Sequence, residues 1–152
     1  MKIIFIVVTF ILFCATSVLG LNTENTNESA EHGNAYSEEQ KNIFRQSIPP
    51  IAKRFIGIPY KLGGSPPQSG TSDNSNLFFS IYNLAAQKAG LSYKKYMPMK
   101  YLLCNIREVD ENNLKNGDLI VLNDDHTAMI YQVENTGKIY LITDQGSIWR
   151  LS

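Results

Sequence analysis

Gly70-Thr71-Ser72-Asp73-Asn74-Ser75-Asn76-Leu77-Phe78-Phe79-Ser80-Ile81-Tyr82-Asn83-Leu84-Ala85 is the stretch from which the rest of the chain is read. Asp73 suits an N-cap, because a short acceptor side chain can take an orphan N–H of the first turn. Leu77, Phe78, Ile81, Tyr82, Leu84 and Ala85 then form one broad apolar face, as on a buried helix. Gly90, after Lys88-Ala89, supplies the C-terminal stop. This spacing predicts a helix at the centre of a domain, with a polar N-terminus.

Before it, Ser37-Glu38-Glu39-Gln40 has the capping-box form and opens an earlier helix carrying Ile43, Phe44 and Ile48 at helical spacing. Pro49-Pro50 is expected to interrupt that helix, with a second turn through Ile51, Ala52, Phe55 and Ile56. Gly57 to Gly70 reads as a loop by its Gly and Pro content. After the central helix, Met99 to Cys104 is a short apolar segment, in which Cys104 is expected to be a buried, inert thiol.

The last third changes period. Leu119–Leu122, Thr127–Val133, Ile139–Thr143 and Ile148–Leu151 are rich in β-branched and aromatic residues and are separated by short turn-forming stretches. Short separations favour antiparallel hairpins. Helices followed by strands give an α+β class, with N-terminal helices packed on a small antiparallel sheet.

The N-terminus differs from all of this. Lys2 and an apolar run from Ile3 to Ala15, ending near Ser17-Val18-Leu19-Gly20, have the form of a secretory signal over residues 1–20. The run is shorter than the ~20 residues of a spanning helix, so no stable membrane insertion is expected after cleavage. Cys14 would serve a lipoprotein signal, but Phe13 stands where a small residue is needed. Residues 21–36 are polar and poor in large apolar side chains, so they read as a flexible leader holding His32 and the acceptor triplet Asn27-Glu28-Ser29. Residues 37–152 remain as the folded domain, and the expected location is secreted or periplasmic.

Fourteen Lys and Arg balance fourteen Asp and Glu. Loss of residues 1–20 removes Lys2 and no acid, leaving one more acid than base. A near-neutral chain gives no electrostatic footprint for nucleic acid. Of two cysteines only Cys104 would survive, so no internal disulfide can form and the core must hold the fold. His and Cys at ligand spacing are too few for a metal site, and no cofactor is expected.

Four segments together carry a resemblance. Gly57-Ile58-Pro59-Tyr60-Lys61-Leu62-Gly63-Gly64, the start of the central helix, Asn116-Gly117-Asp118-Leu119 and His126-Thr127-Ala128-Met129-Ile130-Tyr131 occur in that order. They resemble the NlpC superfamily of papain-like cell-wall peptidases, whose segments read G-x-P-Y-x-x-G-G, D-C-S-G or D-C-S-N, and G-D-L before the strand with the catalytic His. The resemblance runs from about Ile51 to the C-terminus and implies a papain-like NlpC fold. It implies that Tyr60 lines a cleft, that His126 is the base, and that Asp73 and Ser75 contact the free amino end of a peptide stem. Asp73 and Ser75 are equally what any helix start uses as caps.

In a papain-like hydrolase the nucleophilic Cys sits at a helix N-terminus, where the dipole favours thiolate, and a His takes its proton. Asn74 occupies that position here. Its amide cannot form the thioester, and Ser75 is turned about 100° away around the helix. The third member, which orients the imidazole, must come from the next strand. Strands hinged near Thr136-Gly137 bring His126 opposite Asp144 to Gly146, so Asp144 is taken first and Gln145 second, either of which would also serve as a turn residue.

Three functions are therefore carried forward. The first is a secreted, catalytically inactive NlpC-like domain that binds peptidoglycan stem peptides or related short peptides. The second is an active peptidoglycan endopeptidase or amidase with another nucleophile, such as Ser75. The third is a structural or protein-interaction role with a vestigial cleft.

Overall fold

The computed structural model describes residues 4–7, 36–93, 96–123 and 126–151. The leader with His32 and Asn27-Glu28-Ser29, and Cys14, lie outside the described residues, as does the signal stretch apart from Ile4–Val7. The architecture is α+β: helices α1 (Glu38–Ala52), α2 (Pro66–Ser69), α3 (Asn74–Lys88) and α4 (Met99–Leu103), with an all-antiparallel sheet. Its strands are β1 (Ile4–Val7), β2 (Arg107–Glu108), β3 (Leu119–Asn123), β4 (His126–Val133), β5 (Ile139–Ile142) and β6 (Ile148–Leu151), in the order β2-β1-β3-β4-β5-β6.

Helix α1 opens on the expected capping box, with Gln40 N–H donating to Ser37 Oγ at 3.1 Å and Ser37 N–H to Gln40 Oε1 at 3.2 Å. Contrary to expectation, it runs unbroken through Pro49-Pro50 to Ala52. Proline at position 49 removes the N–H that would have met the Arg45 carbonyl. Asn116 Nδ2 donates to that carbonyl instead, at 3.4 Å. Phe44, Ile48, Ile51 and Ala52 face inward, while Ile43, next in line to Phe44, lies on the exposed side.

Helix α3 is the centre of the core, as its sequence predicts. Leu77, Phe78, Ile81, Tyr82 and Ala85 are all fully buried, and the Tyr82 ring stacks on Phe44 of α1 at 6.0 Å. Its end is a Schellman motif: Leu91 N–H reaches Ala86 O at 2.8 Å and Gly90 N–H reaches Gln87 O at 3.1 Å. Tyr93 then folds back against Phe79 and Tyr82, at 5.5 and 6.1 Å between ring centroids, and Tyr96 meets Phe79 edge-on. Burial pushes the Tyr93 hydroxyl up to about 12.

The four C-terminal strands form a continuous meander within a residue or two of the expected bounds. The sheet is apolar on both faces. Leu119, Met129, Tyr131 and Ile142 join the core of α1 and α3, whereas Ile120, Ala128, Ile130 and Leu141 form a second buried cluster.

The turn before β3 joins helices to sheet. Asp118 is fully buried and accepts from Arg45 Nη1 at 2.5 Å and from Lys115 N–H at 2.8 Å. Tyr82 Oη donates to Gly117 O at 2.7 Å. Burial raises the Asp118 carboxyl above its ordinary value, and Arg45 with the Lys115 N–H opposes that rise.

The segment Ile4–Val7, expected within a signal's apolar region, runs as β1 between β2 and β3.

Candidate functional site

The start of α3 is built by three pieces of chain. Asp73 is its N-cap: Oδ1 accepts from Asn76 N–H at 2.8 Å and from Asn76 Nδ2 at 3.1 Å, and Oδ2 accepts from Gly63 N–H at 2.8 Å. One carboxylate therefore caps the helix and clamps the Gly57–Gly64 loop. A short parallel bridge adds to that clamp, with Ser72 N–H on Pro59 O at 3.0 Å and Lys61 N–H on Ser72 O at 2.9 Å. The approach is close at Gly64, where a Cβ would stand 2.6 Å from Thr71 Oγ1 and 2.8 Å from Lys61 O. Loop and helix start thus form one rigid corner.

Tyr60 lies in this corner, at the bridge to Ser72, and is 48% exposed. Asn74 is the first residue of α3. Its Oδ1 is buried and, among the described residues, has no hydrogen-bond partner. Ser75 Oγ accepts from Met99 N–H at 3.0 Å, so it ties down the first residue of α4. That contact, and the part Gly63 plays in holding Asp73, were not among the sequence expectations. Asn76, three residues after the cap, was the one available local signal for a bidentate Asp73.

His126 opens β4, exposed, in register with Asn123 across a bulge. The β4–β5 register, Met129 with Ile142 and Ile130 with Leu141, points His126 along the row of Gln145. Strand β5 ends at Ile142, however, and the chain turns over Thr143–Ser147 with Gly146 N–H on Thr143 O at 2.9 Å. Asp144 is half-buried in that turn and Gln145 is exposed. Among the described residues no hydrogen bond joins His126 to either. The turn docks instead on the loop before Tyr60: Gly57 N–H donates to Gly146 O at 3.0 Å. Gly146 has φ +60°, and a Cβ there would lie 2.7 Å from Gly57 N.

Cys104, expected to be buried, is exposed. It is the C-cap of α4, whose inward contact is made by Leu102, and position 104 falls past the helix on the solvent side. Trp149 is 63% exposed on β6. Among the described residues no group of three potential metal ligands exists, and no helix is long and apolar enough to cross a membrane.

No family model, curated protein or solved structure matches the chain.

Chemically, the corner carries an amide at position 74, and an amide is not a nucleophile. The Asn74 amide oxygen is buried by the surrounding chain. The first-turn N–H groups not taken by Asp73 can meet a carbonyl or carboxylate.

Proposed function

We propose that this chain is a secreted, catalytically inactive, papain-like domain of the NlpC type that binds short peptides, of which peptidoglycan stem peptides are the first class to test. The reading is carried by Asn74: the position that would hold the nucleophile carries an amide, which cannot form a thioester. Asp73 and Tyr60 frame the same corner, and His126 is the base position of the lost reaction.

Ser75 is a poor substitute nucleophile. Its hydroxyl oxygen already accepts the Met99 N–H, and one step along the helix turns it about 100° away from position 74.

The deciding experiment pairs the natural protein with Asn74→Cys. Each is titrated with stem peptides by calorimetry and incubated with muropeptides for mass spectrometry. The natural protein is expected to bind saturably below about 1 mM and to release no product. Hydrolysis by Asn74→Cys alone would place His126 and its support in working order. Cleavage by the natural protein would make it an enzyme, and absence of binding by both would leave a structural role.

A further inference from the structure

Ile4–Val7 fills a slot one strand wide. Ile6 is in register with Glu108 on one side and Leu119 on the other, Phe5 with Ile120, and Ile4 with Val121. Strands β2 and β3 are neighbours only through this segment. The backbone groups that β3 turns to the slot follow from its other side. Ile130 N–H donates to Asp118 O at 2.8 Å, so the Leu119 N–H at the far end of that peptide unit points away from β4. Alternation along a strand then sends Leu119 and Val121 toward the slot and Ile120 toward β4.

Along Leu119-Ile120-Val121 there is no Lys, Pro or inward charge of the kind that guards free sheet edges. Residues on both sides of β3 are buried, Leu119 with the helices and Ile120 in the second cluster. A strand in the slot therefore continues two apolar faces at once, which calls for an unbroken apolar run rather than an alternating one. Ile4-Phe5-Ile6-Val7 is such a run. It also falls inside the stretch that reads as a cleavable signal.

We infer that the slot between β2 and β3 is a strand-accepting site. Once residues 1–20 are removed, it takes an extended, wholly apolar segment of another polypeptide, antiparallel to β3, in the place of Ile4–Val7. This rests on removal of the N-terminal stretch and is independent of what the start of α3 binds.

The test uses the full chain with a protease site placed after Gly33, folded intact and then cut. The probe is a fluorescent peptide with the sequence of Lys2–Thr9. The cut protein is expected either to retain its own N-terminal fragment without a covalent link, seen as co-elution, or to release it and bind the probe while the uncut chain does not. Ile6→Pro removes the N–H facing Leu119 and should weaken retention or binding by about tenfold or more. Release without rebinding, or retention and binding untouched by Ile6→Pro, would overturn the proposal. Either failure leaves the stem-peptide titration with Asn74 unaffected.

Discussion

Asp73 and Asp118 are both buried aspartates at the edge of a loop, yet their surroundings are completed to different degrees. Around Asp118 the polar groups close on one another: Arg45 and Lys115 N–H meet the carboxylate, Tyr82 meets Gly117 O, and Asn116 reaches both the Arg45 carbonyl and Val133 N–H. Among the described residues, Asp73 has neutral partners, from Asn76 and Gly63, and its neighbour Asn74 has a buried oxygen with none. The first region is finished within the protein itself. The second leaves one buried atom, Asn74 Oδ1, unpaired among the described residues.

Three substitutions probe that contrast. Asp118→Ala has the largest expected effect, a loss of about 3 kcal/mol, because it strands the Arg45 guanidinium and frees the turn; urea unfolding would measure it. A loss below about 1 kcal/mol would mean that the turn is not the anchor described above. Asp73→Ala should cost about 1–2 kcal/mol through the cap. The Gly63 amide should then exchange faster with solvent, a change that loss of the cap alone would not produce.

Asn74→Ala has the smallest effect and the opposite sign. Removing an unpaired buried acceptor and raising helix propensity should stabilise the protein by about 0.5–1 kcal/mol, which urea unfolding would measure. Destabilisation instead would show that the amide is already used by the fold, erasing the difference between the two regions.

Local signals were legible in the sequence. The Ser37 capping box, the Asp73 cap, the apolar face of α3 and the four strands β3–β6 each depend on residues a few positions apart, so pattern and propensity suffice. Long-range contacts were not. The Gly63 amide that fixes Asp73 is a backbone group with no mark in the sequence. The exposure of Cys104 depends on where a five-residue helix stops. Asp144 was placed by extending a hairpin, but β5 ends at Ile142 and the chain turns early to seat Gly146 on Gly57. At the candidate site, the polar helix start and the absence of a thiol at position 74 could be read directly. The unpaired Asn74 oxygen could not, because it depends on what the fold packs around it.

The unbroken passage of α1 through Pro49-Pro50 ties the middle of that helix to a distant part of the chain. The carbonyl that proline strands on Arg45 is taken up by Asn116, seventy-one positions further along the chain. That part of α1 is therefore not completed locally. It is completed by a side chain from the segment before β3, so that helix and sheet support one another at this point.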